Sequence, residues 1–257
     1  MTALQAYETW KALMVSGEDL AWWQEAFVKF YQAFILEDRW LQYLDGVGTT
    51  LLATALALLM GVLLGVAVAV VRTAHDQQRP GRPKNLALGV VNTIFKVYVT
   101  IIRGTPMMLQ LLIWAFVVFK SRQYTLVGIF GLGINSGAYV SEIIRGGLMA
   151  VDGGQMEAGR SLGMGYLDTM RFVVIPQAIK AILPSLGNEF IILLKDTSLL
   201  SVISGQELLY FAQAIGTRNY EQMFPLVGAA CIYLLLVMIF TWLLGKLERR
   251  LRESDRR

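Results

Sequence analysis

The sequence predicts an all-α integral membrane protein of about five transmembrane helices, preceded by an amphipathic N-terminal helix. Three observations carry this. Of 257 residues, 55% are hydrophobic and only 16% charged, against about 25% charged in an ordinary soluble domain. The apolar residues gather into long charge-free runs, and the basic residues concentrate in alternate loops between them. These figures exclude a soluble enzyme with one core, and equally a disordered chain.

A spanning helix needs roughly 20 mostly apolar residues. Gly46–Val71 has 26 residues without a charge, Gln222–Gly245 has 24 and Gln123–Ser141 has 19. Two further runs are interrupted. Ala178–Ser204 carries Lys180, Glu189, Lys195 and Asp196. Leu86–Phe119 carries Lys96 and Arg103, and as one straight helix it would be about 50 Å long, too long for a single crossing. It reads as an interfacial helix, a break near Arg103-Gly104-Thr105-Pro106, and then a span.

Orientation follows from lysine and arginine in the loops. With five spans, fourteen lie on one side, in 72–85, 145–180 and the tail 246–257, and six on the other. This places the N-terminus outside and the C-terminus in the cytoplasm. Three units follow: an N-terminal extension 1–44, a transmembrane domain 45–247 with a patterned cytoplasmic loop at 152–176, and a basic tail 248–257. In the extension, Leu20, Trp23, Phe27, Phe30, Tyr31 and Phe34 recur at helical spacing between polar residues. This fits a helix in the outer interface anchored by Trp22, Trp23 and Trp40, or a helix that docks a partner. No cleavable signal pattern precedes it.

Most motifs with catalytic associations have plain readings. Gly159-Arg160-Ser161-Leu162-Gly163 matches the hydrolase nucleophile elbow, but that needs a preceding strand and a nearby base, and the flanks look helical. The His-Glu-x-x-His motif of zinc proteases is absent, as is a phosphate-cradling glycine loop, so the chain should not bind ATP by itself. One cysteine, Cys231, and one histidine, His75, exclude a disulfide framework and multi-imidazole metal sites. Gly61 and Gly65 in the first span allow close helix approach.

Ionisable residues within apolar runs are costly and face a cavity, a partner or the bundle interior. Glu142 and Arg145, three apart, can pair. Asn188 and Lys195 share one helical face, and Glu189 and Asp196 a neighbouring one. This polar stripe reads as a structural ion network or as a solute pathway. The loop is the most informative stretch. Gly153-Gly154 permits a sharp exit from the third span, Gln155–Leu162 can form two helical turns, and Gly163 and Gly165 end them. A short helix held between glycine turns looks like a docking element presenting Glu157 and Arg160.

These residues resemble a known family. Gly154 through Gly163, with Glu157-Ala158-Gly159 at its centre, followed by Ile175-Pro176-Gln177-Ala178, resembles the EAA loop of ABC importer permeases, in the polar amino-acid subgroup. Arg103-Gly104-Thr105-Pro106, the block Asn135–Gly146 and the block Leu186–Leu199 match in the same order, and the resemblance covers roughly 44–247. Two departures stand out. Gly159 replaces the alanine of the triplet, which costs a helix about 1 kcal/mol at most. The N-terminal extension is longer than the subgroup leads one to expect.

The resemblance implies the type I ABC importer permease fold in a bacterial cytoplasmic membrane, and a chain without catalytic residues, metal or cofactor of its own. It implies a second permease chain, two ATPase subunits that carry ATP and magnesium, and an external amino-acid-binding protein, with membrane lipid around the bundle and no nucleic acid. Glu157, Ala158, Gly159, Arg160 and Gly163 would couple to the ATPase. Arg103, Glu142, Asn188, Glu189, Ile192, Lys195 and Asp196 would line the pathway. A channel or secondary carrier is the alternative, though many such folds carry internal repeats and none is visible.

Overall fold

The computed structural model describes residues 2–76, 78 and 85–255. Arg79, Arg82, Lys84, Arg256 and Arg257, counted above for orientation, lie outside the described residues. Those described form helices and no strand: α1 (Ala3–Ser16), α2 (Trp22–Phe34), α3 (Arg39–Asp76), α4 (Leu86–Gly104), α5 (Met107–Leu112, continuing in wider turns to Phe119), α6 (Tyr124–Met149), α7 (Gly153–Ser161), α8 (Tyr166–Thr169), α9 (Ile175–Asp196), α10 (Leu208–Asn219) and α11 (Met223–Asp255). Among the described residues, five helical stretches are long and apolar enough to cross a membrane.

The long helices α3 and α6 form the central pair, and glycine decides how closely they pack. A Cβ on Gly61 would fall 2.6 Å from Ser136 Oγ, and one on Gly65 2.6 Å from Val140 Cγ1. The fit is reciprocal: a Cβ on Gly137 would fall 2.8 Å from Leu64 Cδ2. The Gly61–Gly65 spacing is therefore a packing device, as its sequence suggests.

The break after Gly104 lies where Arg103-Gly104-Thr105-Pro106 predicts, with Thr105 and Pro106 extended. The interfacial helix expected before it needs correction. At 19 residues, α4 is itself one of the five candidate spans, whereas Met107–Phe119 is shorter. The last turns of α4 meet the middle of α6, where Tyr98 donates to the Ile134 carbonyl at 2.5 Å. Leu111 and Trp114 then pack at Gly131. Thirteen residues give about 20 Å of helix, too little for a core of about 30 Å, so Met107–Phe119 is too short to be the ordinary span expected after the break.

The N-terminal extension is a helical hairpin. Thr2 and Gln5 form a reciprocal capping box on α1, and Gly17 ends it at φ 79°. Tyr7 stacks on Tyr31 at 4.6 Å, and Trp10 meets Trp23 and Phe27 edge-on at 5.1 and 5.3 Å. Much of the apolar face of α2 is thus covered by α1. Phe34 turns into the bundle against Tyr43 and Gly228. Trp22 and Trp40 stay exposed. The buried Arg39 clamps this end, donating to the Gln32 carbonyl and Asn219 Oδ1, each at 2.6 Å.

Candidate functional site

Two places collect the residues singled out from the sequence: a cleft between α4, α6 and α9, and the segment from α7 to α9. The cleft has a volume of about 590 Å³ and is lined by Arg103, Tyr139, Glu142, Asn188, Glu189 and Ile192, among others. Five of the seven expected pathway residues therefore come together. Lys195 and Asp196 are not among the lining residues. They follow Asn188 and Glu189 by two helical turns, about 10 Å along the axis, at the end of α9.

Arg103, Glu189 and Glu142 each have a support. The Arg103 guanidinium lies over the Tyr139 ring, 5.2 Å from its centroid, a cation–π arrangement. Glu189 is 6% exposed, and Ser136 Oγ donates to its Oε1 at 2.8 Å. Glu142 pairs with Arg72 of α3 and faces Arg145 Nε at 3.6 Å, while Arg145 Nη1 reaches Asp76 Oδ2 at 3.2 Å. The expected Glu142–Arg145 pair is thus part of a network tying α3 to α6. Positive and negative groups face one cleft, an arrangement suited to a solute carrying both signs. Among the described residues, no group of three or more His, Cys, Asp or Glu could hold a metal ion.

The second place is built on local caps. Asp152 accepts from Gly154 N at 2.8 Å and starts α7. Gly163, at φ 80°, ends it: Met164 N donates to the Gly159 carbonyl at 3.0 Å and Gly163 N to that of Arg160 at 2.9 Å, a Schellman stop. Gln177 Nε2 donates to Gln155 Oε1 at 3.1 Å, tying α7 to the start of α9. Glu157, Ala158 and Arg160 are exposed, and Gly159 is buried.

Gly159 has a steric reason that sequence reading missed. A Cβ there would fall 2.5 Å from Thr169 Cγ2. The departure from alanine therefore lets α7 lie on α8 in this chain, rather than merely loosening a helix. Three exposed apolar side chains also escaped notice: Leu162 at 82%, Leu167 at 77% and Phe172 at 63%. Together with Glu157 and Arg160 they give the segment a mixed apolar and charged surface.

Comparisons with known proteins agree with this architecture. Residues 85–253 match the family described as binding-protein-dependent transport system inner membrane component. The chain is 37% identical over 222 residues to the L-cystine transport system permease protein TcyB of Bacillus subtilis, covering 84% of this chain and 89% of that one. It is 34% identical over 217 residues to the arginine transport system permease protein ArtQ of the same organism, covering 82% and 93%. A crystal structure of an amino acid ABC transporter superposes with TM-score 0.72 at 39% identity, over 81% of this chain and 94% of that one. The inward-facing MetNI methionine ABC transporter shares the fold at TM-score 0.70 and 18% identity, over 84% and 99%. The chain belongs to the family of inner-membrane components of binding-protein-dependent transport systems, and is a permease subunit of the ABC importer class.

Proposed function

We propose that this chain forms half of the pore of an importer for polar amino acids, basic ones included, in a bacterial cytoplasmic membrane. A second permease chain, identical or paralogous, completes the pore. Two ATPase subunits bind ATP and magnesium, and this chain contributes no ATP site. Each ATPase receives one α7 helix, with Glu157, Arg160 and Leu162 at the contact. An external binding protein delivers the amino acid. The N-terminus is outside, with Trp22 and Trp40 at the outer interface, and the C-terminus is cytoplasmic.

The observation that carries this reading is the capped α7 helix, fixed to its own chain on one side and presenting charge and apolar surface on the other. Closure of the ATPase dimer moves α7 as a lever on α9, whose Asn188, Glu189 and Ile192 line the cleft. The cleft then alternates between facing inward and outward. Coupling requires that substrate and ATP bind these states with different affinity. Within the cleft, Arg103 takes the substrate carboxylate, and the acids Glu142 and Glu189 favour its ammonium group. Lys195 and Asp196 extend the polar lining beyond the cleft.

Co-purification from native membranes tests this, with mass spectrometry of the retained subunits and ATPase assays against a panel of amino acids with the binding protein present. Recovery of an ATPase whose hydrolysis rises with one amino-acid class is the expected result. Recovery of this chain alone, with amino-acid flux indifferent to ATP after reconstitution, would favour a self-contained carrier and contradict it.

A further inference from the structure

The break between α4 and α5 creates a backbone problem next to Arg103. In a continuous helix the Ile102 carbonyl would accept from the N–H four residues on, but that residue is Pro106, which has none. Thr105 is extended, so its carbonyl also leaves the helical ladder. Unpaired buried carbonyls are rare, because each carries a desolvation cost.

One side chain answers both. Gln110, 6% exposed, carries two N–H donors on Nε2; the nitrogen stands 2.7 Å from the Ile102 carbonyl, 2.8 Å from Thr105 Oγ1 and 3.1 Å from the Thr105 carbonyl, the two Thr105 oxygens sharing one N–H. Its Oε1 accepts from Asn135 Nδ2 of α6 at 3.1 Å. Asn135 stands one turn before Tyr139, on the same face of α6, and Tyr139 is the ring beneath Arg103. The backbone on both sides of Arg103 is thus tied through Gln110 to α6, and its guanidinium rests on α6 as well.

We propose that Gln110 is the positioning residue for Arg103: its carboxamide supplies the donor that Pro106 lacks and, held by Asn135, fixes where the guanidinium stands in the cleft. A carboxylate at this position could not donate to the carbonyls. An aliphatic side chain would leave them unpaired. A lysine could not accept from Asn135. The proposal rests on reading Arg103 as a substrate contact, and it adds the residue that sets its geometry.

The test uses the complex of this chain with its partner subunits, reconstituted in liposomes. ATP-driven amino-acid uptake is measured for Gln110→Met, Gln110→Glu, Arg103→Ala and the double variant Gln110→Met with Arg103→Ala. Either Gln110 variant should lower uptake about tenfold, and the double variant should be no worse than Arg103→Ala alone. A second readout is independent of transport. In a Cys231→Ser background, the rate at which a water-soluble thiol reagent labels Arg103→Cys should change several-fold when Gln110→Met is added. Should Gln110→Met fail to assemble, Asn135→Ala releases only the amide oxygen and should shift the labelling in the same direction by less. Additive losses in the double variant, or an unchanged labelling rate, would overturn the proposal. Full uptake by Arg103→Ala would instead sink the substrate-contact reading and leave labelling as the measure of positioning alone.

Discussion

The α3–α6 seam and the α7–α9 segment are both built on glycine, with opposite consequences. In the seam, Gly61, Gly65 and Gly137 let two long helices interlock, with Ser136, Val140 and Leu64 filling the space a Cβ would take. In the segment, Gly159 seats α7 on Thr169 and Gly163 turns the chain, yet Leu162, Leu167 and Phe172 remain on the surface. The seam completes itself within one chain. The segment is folded and capped but unfinished, with apolar surface worth roughly 25 cal/mol per Å² to whatever covers it. A rigid element with an uncovered apolar face suits transmission between subunits.

The largest effect should come from filling the seam. Gly61→Leu drives a side chain into Ser136, where a single Cβ already falls 2.6 Å from Oγ. Overpacking costs typically about 1–3 kcal/mol, and two rigid helices have little room to relax. Loss of the monodisperse peak in size-exclusion chromatography is the expected outcome. A normal peak would mean that the helices can separate.

Next in size is the docking surface. Glu157→Lys reverses an exposed charge on α7 and should leave the melting temperature within about 2 °C. ATP-driven uptake should nevertheless fall at least about tenfold, the equivalent of about 1.4 kcal/mol, by uncoupling or by failed assembly. Normal uptake in this variant would count against the docking role.

Gly159→Ala sharpens the contrast. Alanine should improve a helix by about 1 kcal/mol, but here its Cβ meets Thr169 Cγ2 at 2.5 Å. We expect reduced coupling, relieved by adding Thr169→Ala. Double-mutant analysis measures this, and strict additivity would show that the two residues do not share a constraint.

The smallest effect belongs to Lys29, 2.6 Å from Glu25 and 3.4 Å from Glu221. The hydrogen bond to Glu25 comes first among the causes that hold its pKa above the usual lysine value. The sign follows from a raised folded-state pKa: the contribution is complete at neutral pH and is lost as pH rises through the lysine range. A partly exposed pair is worth under about 1 kcal/mol, so Lys29→Gln should move thermal unfolding slightly, and less in high salt.

Much of this was legible in the sequence because its cause is local. Charge-free runs mark spans, Gly163 marks the end of α7, and Pro106 marks a break. What escaped depends on partners that stand on different helices. Thr169 beneath Gly159, Asn135 against Gln110, and Arg72 against Glu142, 70 residues apart, become visible only when helices pack. The α1 helix is an exception: Thr2 and Gln5 already spell a capping box, and Gly17 a stop. Without α1, the aromatic face of α2 looks free for lipid, when much of it is used within the hairpin.

The central claim is that α7 is the contact through which the ATPase acts. The most direct measurement places a photo-crosslinking residue at Leu162 in the assembled importer, with Trp22 as a control position, and compares ATP-bound with nucleotide-free samples. Leu162 should crosslink to the ATPase subunit, with a yield that changes with nucleotide, and Trp22 should not. An ATPase that remains bound without forming any crosslink at Leu162 would contradict the account.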